Sequence, residues 1–243
     1  MPEILFDNIS KTYKYGFKKN QVLKGLVLEI KQGEIFGFVG PNGAGKSTSI
    51  NIALDFVQPD SGKVFIRNYP STDPKSRVHL GYMPENPHLS EQLSPRELLE
   101  FGGLVSKVEK KKLNERIESI LDKLKLLHVI DRPVRTFSKG MKQRAALAMA
   151  TIHDPEILIL DEPMSGLDPM GRKIVADLIL ELKEQGKTIF FSTHILNDVQ
   201  TLCNRITVIH KGSILYTGDI KGFQKNHDTL EEAFVTAIMA ANN

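Results

Sequence analysis

The sequence predicts an α/β protein: a mostly parallel sheet flanked by helices, an N-terminal antiparallel β portion and an inserted α-helical block. Three observations predict it. The segment Gly40-Pro41-Asn42-Gly43-Ala44-Gly45-Lys46-Ser47-Thr48 lies between an apolar run and a helical stretch, the strand, loop and helix context in which such a loop cradles phosphate. After residue 157, continuous apolar runs alternate with helical stretches, as strands covered on both faces require. Between these regions, residues 85–135 show helical periodicity without strands.

The elements follow in order. Short β-like runs cover Ile4 to Phe6, Val22 to Ile30 and Ile35 to Val39, and the third enters the glycine loop before a helical Ser49 to Leu54. Asp60-Ser61-Gly62 turns into a strand at Lys63 to Ile66, and another runs from Val78 to Tyr82. Ser94-Pro95-Arg96-Glu97 is a capping box, with Ser at the N-cap and Pro at the first helical position; it opens Leu98 to Val105. Leu113, Ile117, Ile120, Leu121, Leu124 and Leu127 recur at helical spacing and give one apolar face. The alternation resumes with strand Ile157 to Leu160, helix Met170 to Glu184 and strands Thr188 to Phe191 and Ile206 to His210. Lys211-Gly212 turns a hairpin into Ser213 to Tyr216, and Leu230 to Ala240 reads as a closing helix docked on the body.

Composition narrows the function classes. The chain has 243 residues, of which 41% are apolar and 25% charged, an ordinary globular mix. A net charge of +3 is too small to argue for nucleic acid. Lys110, Lys111 and Lys112 read as a solvated helix start. The single cysteine, Cys203, excludes an internal disulfide and fits a reducing compartment as a small buried apolar residue. No run approaches the roughly 18 apolar residues that span a bilayer, and Met1-Pro2-Glu3-Ile4-Leu5 lacks the pattern of a signal peptide. A cytoplasmic location is expected.

The chemistry-bearing residues form three groups. The loop Gly40 to Thr48 matches G-x-x-x-x-G-K-[ST] throughout. Its glycines let successive N–H groups face the β- and γ-phosphates, Lys46 adds a point charge, and the Ser47 hydroxyl suits Mg²⁺. The apolar run Ile157 to Leu160 delivers Asp161 and Glu162 to the carboxyl edge of a sheet, where ligands bind in open α/β folds. Asp161 there would hold Mg²⁺, directly or through water, and Glu162 would polarise an attacking water. A second anion-binding helix start lies at Phe137-Ser138-Lys139-Gly140-Met141-Lys142-Gln143-Arg144. Two such starts with one acidic strand point to ATP sandwiched between two copies.

These residues together resemble the ATP-binding cassette (ABC) ATPases. Phe137 to Arg144 looks like their signature, Ser165-Gly166-Leu167-Asp168 like their D-loop, and His194 in Ser192-Thr193-His194 like their switch histidine. Order and spacing agree from Gly40 to His194, and flanking similarity runs from about Ile4 to Gly218. The resemblance implies a P-loop NTPase core with a β-subdomain (1–84 and 136–220), a helical subdomain (85–135) and a C-terminal helix (221–243). It also implies ATP and Mg²⁺ as ligands and ATP hydrolysis coupled to membrane transport. Tyr13 would stack on adenine, with Tyr15 as rival. Lys46, Glu162 and His194 would do the chemistry, while Ser138, Lys139, Gly140, Met141 and Asp168 would reach the ATP of a second copy.

Three positions depart from the family pattern. Lys139 and Met141 replace a Gly and the Gln of the common signature, and Lys139 either adds charge toward the γ-phosphate or faces solvent. Glu85 stands where the family's glutamine links Mg²⁺ to the helical subdomain, so it is an expected metal neighbour with an added charge. The implied partners are a transmembrane permease and a second nucleotide-binding domain, with no nucleic acid expected. The chain would then lie peripherally on the inner face of the membrane. Tyr82, Leu93, Phe101 and Leu104 would offer a groove to the permease or form subdomain core. The signature variant and Leu230-Glu231-Glu232-Ala233-Phe234 resemble cassettes of drug, peptide or polysaccharide exporters. A cassette acting on ribosomes or DNA is the alternative.

Overall fold

A computed structural model describes residues 2–242, and of Tyr15 it describes the backbone alone. In chain order the first elements are β1 (Ile4–Tyr15), β2 (Lys18–Ile30), β3 (Ile35–Val39), α1 (Lys46–Ala53), β4 (Ser61–Ile66) and β5 (Tyr69–Pro70). Next come β6 (Leu80–Met83), α2 (Pro95–Val105), α3 (Lys110–Lys123), α4 (Lys139–Thr151), β7 (Ile157–Asp161) and α5 (Pro169–Glu184). The last are β8 (Thr188–Thr193), α6 (Leu196–Leu202), β9 (Arg205–His210), β10 (Ser213–Asp219), α7 (Ile220–Gln224) and α8 (Leu230–Ala240). They fall into two compact units, one ending at Val78 and resuming at Thr188, the other running from His79 to Lys187.

The first unit contains the antiparallel portion expected at the N-terminus. β1 pairs with β2 from Ile4↔Ile30 to Tyr15↔Lys18, and with β4 from Ile4↔Ile66 to Ser10↔Ser61. β1 and β2 are longer than their apolar runs because register shifts near Asp7 and Ile9 take up polar residues. Such bulges add one residue to a strand and erase the alternation by which a sequence announces it. In the same unit β3 pairs in parallel with β8 (Ile35↔Ile189 to Val39↔Thr193) and with β9 (Phe36↔Arg205 to Val39↔Val208). All five residues of β3 are buried, as its unbroken apolar run demands. Phe6, Phe36 and Phe38 gather around Phe190 at centroid distances of 6.0, 6.3 and 5.5 Å, and this aromatic cluster anchors the strand that enters the glycine loop. Cys203 is buried beside Gly37, as the apolar reading of that residue expects.

The second unit pairs β6 and β7 in parallel, Leu80↔Ile157 to Met83↔Leu160, and surrounds them with α2 to α5. The strand expected from Val78 begins two residues later. A 3₁₀ turn at Pro74–Arg77, capped by Asp73, ends with Val78 still helical and 62% exposed. α2 starts where the capping box places it: the Ser94 side chain accepts from the Glu97 amide, and Glu97 accepts from the Ser94 amide at 2.8 Å. α3 buries Leu113, Ile117 and Leu121. Its apolar face continues through Leu124 but then passes to Leu126, leaving Leu127 exposed. The cause is Lys125, whose φ of 54° ends the helix and shifts the register by one residue.

Candidate functional site

The glycine loop in the first unit is shaped by sterics. A Cβ on Gly40 would strike the Ile209 carbonyl oxygen, and Gly45 has φ 115° with Leu23 Cδ2 2.8 Å from where a Cβ would stand. Only glycine meets both conditions. Gly45 is the N-cap of α1, which has neither a side-chain cap nor an acidic residue in its first turn. The amides that open α1 therefore form an uncapped, electropositive helix end. The loop closes on itself through Ala44 N–H to Pro41 O at 3.1 Å and is braced by Gly212 N–H to Ala44 O at 2.9 Å. Lys46, 6% exposed, donates through Nζ to the Gly40 carbonyl at 2.7 Å and to that of Pro41 at 3.4 Å. Its charge is thus held inside the curve of the loop, while Ser47 and Thr48 are half-buried on α1 and Asn42 and Gly43 are exposed.

The same unit carries His194 and Tyr13. Gly40 N–H donates to the Thr193 carbonyl at 3.3 Å, which ties the start of the loop to the end of β8. Thr193 Oγ1 accepts from the Ile195 amide at 3.0 Å and turns the chain there, with His194 exposed between them. Tyr13 lies on β1 opposite Asn20, half-buried, with Lys11 Nζ 5.6 Å from its ring centre. The rival side chain, Tyr15, lies outside the described residues.

In the second unit β7 delivers the acidic pair. Asp161 and Glu162 are each 4% exposed at the end of a fully buried strand. Glu162 has φ 51°, a left-handed turn that a non-glycine residue adopts only under constraint. Its carbonyl accepts from Ser165 N–H at 3.0 Å and from Gln143 Nε2 at 3.3 Å. Half-buried Tyr82 on β6 is held neutral: burial pushes its phenol up to about 12, and the nearby charge of Asp161 adds to the effect.

The signature-like segment opens α4 in the same unit. Ser138 is the N-cap and its hydroxyl accepts from Met141 N–H at 3.2 Å. Gly140 lies against Leu167, and the Lys139 side chain lies over Gly166. Lys139 is otherwise exposed and Met141 half-buried. Asp168 caps α5 by accepting from Gly171 N–H at 2.7 Å. Glu85 is exposed in the loop after β6. Phe101 and Leu104 on α2 are 63% and 55% exposed, while Leu93 is half-buried.

Sequence reasoning passed over Gln143, although it lies inside the segment that drew attention. A signal existed: it shares a helix with Ala145, Ala146, Leu147 and Ala150, all buried, and an amide in such company must find a partner. The side chains expected to hold Mg²⁺, the Ser47 hydroxyl in the first unit and the Asp161 and Glu85 carboxylates in the second, are each hard oxygen donors of the kind that ion takes. Among the described residues no group of three or more His, Cys, Asp and Glu side chains could hold a metal ion.

Comparisons with known proteins bear on the family and the fold. A family model described as ABC transporter matches residues 23–165. An ABC transporter ATP-binding protein of Synechocystis sp. is 41% identical over 92% of this chain and 64% of its own length. A linearmycin resistance ATP-binding protein of Bacillus subtilis is 34% identical over 87% of this chain and 68% of its own. The chain spans about two thirds of the length of the first curated relatives it matches. Among solved structures, an ATP-binding cassette seen as a dimer in a post-hydrolysis state with ADP and Pi superposes with a TM-score of 0.82. It is 27% identical over 90% of this chain and all of that one.

Proposed function

This chain belongs to the ABC transporter family of ATP-binding proteins, and from that premise we propose that it is the ATP-hydrolysing subunit that powers a membrane transporter. The observation that carries the reading is the loop Gly40 to Thr48, an uncapped helix start with a buried lysine inside it. Lys46 exchanges the Gly40 and Pro41 carbonyls for β- and γ-phosphate oxygens, and the opening amides of α1 hold the rest of the polyphosphate. Ser47, Asp161 and Glu85 would hold Mg²⁺. When bound, that ion neutralises the charge on the β- and γ-oxygens.

Glu162 accepts a hydrogen bond from the attacking water and turns its lone pair toward the γ-phosphorus. His194 steadies the γ-phosphate, and Tyr13 stacks on adenine. Ser138, Lys139, Gly140, Met141 and Asp168 contact the ATP bound by a second copy. ATP therefore favours the closed pair, and hydrolysis removes the group that bridges it. The 27% identical cassette solved as a dimer in a post-hydrolysis state with ADP and Pi supports the pairing of two cassettes. Among the described residues no helix is long and apolar enough to cross a membrane. The partner in this reading is a transmembrane permease. Exposed Phe101, Leu104 and Val105 on α2 offer that permease an apolar docking surface. Export is the favoured direction, supported by the relative whose name records linearmycin resistance.

The test is the state of association of Glu162→Gln. With ATP and Mg²⁺ it is expected to run as a dimer in size-exclusion light scattering and as a monomer without nucleotide. A variant that stays monomeric at saturating ATP would remove the sandwich from the proposal.

A further inference from the structure

Two polar side chains lie on the buried part of α4, and they behave differently. Thr151 turns its hydroxyl back onto its own helix, to the carbonyls of Leu147 at 2.9 Å and Ala148 at 3.1 Å. Gln143, 2% exposed, sends Nε2 out of the helix to the main-chain oxygen of Glu162 at 3.3 Å. That oxygen belongs to a residue in an unfavourable conformation. Glu162 has φ 51°, a left-handed conformation that crowds the Cβ of an L-residue, and it precedes Pro163, which favours extended backbone at the residue before it. Ser165 N–H holds the same oxygen at 3.0 Å from within the turn. Gln143 holds it from a separate helix, and so resists the rotation of the 162–163 peptide plane that relaxation of the turn requires. The neighbouring contacts run the same way: Gly140 meets Leu167, and the Lys139 stem covers Gly166.

We propose that Gln143 is a positioning residue for the Glu162 carboxylate of its own chain. By fixing the Glu162 carbonyl, the amide fixes the backbone from which the buried carboxylate projects. The segment that reaches the ATP of a second copy then also aims the carboxylate at the chain's own ATP. This rests on the reading of Glu162 as the group that polarises water.

A double-mutant cycle on the full chain tests it, with the ATPase rate as readout and ATP binding measured beside it. Gln143→Met keeps length and removes the donor. It is expected to lower kcat by about 10- to 100-fold, as a small misplacement of a catalytic group does, with KM for ATP within about twofold of wild type. In a Glu162→Gln background the same substitution is expected to change the rate by less than about twofold, because the group it positions is already disabled. Unchanged kcat in Gln143→Met, or an equal loss in both backgrounds, would overturn the proposal. Gln143→Glu, which keeps shape and replaces the donor by an acceptor, is read on the same cycle if the Met variant does not fold. Failure of both to fold would assign Gln143 to stability alone and also overturn it. A Glu162→Gln protein with wild-type turnover would instead remove the role of Glu162, a different result.

Discussion

Glu162 combines a buried carboxylate with a left-handed backbone, and neither feature is stable without support. The acidic pair was legible in the sequence because four apolar residues run straight into it. Its left-handed turn and its clamp by Gln143 were not, because a main-chain oxygen has no sequence signature. The glycine loop was legible for the opposite reason. Steric exclusion at Gly40 and Gly45 leaves glycine as the sole choice, so geometry is written into composition. Glu85 is the residue whose role is most exposed to test. If its carboxylate stands near Mg²⁺, Glu85→Gln weakens the dependence of ATPase activity on Mg²⁺ and on pH. An Mg²⁺ titration that superposes on wild type would place Glu85 away from the ion.

Two elements of the second unit allow sharp predictions. The α2 capping box satisfies helix donors with Ser94 and Glu97, so Ser94→Ala should cost about 1 kcal/mol in denaturant unfolding. A change below about 0.3 kcal/mol would mean that α2 is held by packing alone. His153 follows α4 and its Nε2 lies 3.2 Å from the Leu80 carbonyl on β6. Burial lowers its pKa, although the bond to Leu80 opposes the shift. The folded state thus keeps the imidazole neutral, and the unfolded chain takes up the proton first as pH falls. This contribution to stability is complete above the ordinary histidine range and is lost as pH drops through it. Thermal midpoints should fall between about pH 7.5 and 5.5, and His153→Gln, which retains a donor, should flatten that part of the curve. A slope unchanged in the variant would assign it to other groups. At this scale the sequence was read well where one periodicity runs undisturbed, as in α2, α5 and β3. It was read poorly where a backbone irregularity intervenes. The bulges of β1, the turn before β6 and the left-handed Lys125 each move a boundary or a buried residue without leaving an apolar pattern. The short α6 and α7 went unread because seven and five residues give too few turns for periodicity to show.

For the whole molecule, the fold is that of an ABC cassette and the proposed task is the turnover of ATP on behalf of a permease. In the proposed division of labour Lys46 and the opening amides of α1 would bind phosphate, Glu162 would direct water, and the Ser138 to Met141 turn would serve a second copy. Binding and chemistry therefore separate by mutation. The most direct measurement is phosphate release from Mg·ATP by the wild-type chain beside Lys46→Ala and Glu162→Gln, with ATP binding followed in each. Lys46→Ala is expected to lose binding and turnover together. Glu162→Gln is expected to retain binding while turnover falls about 10²- to 10⁴-fold. Wild-type turnover in Glu162→Gln, or no phosphate release by the wild-type chain at saturating Mg·ATP, would contradict the assignment.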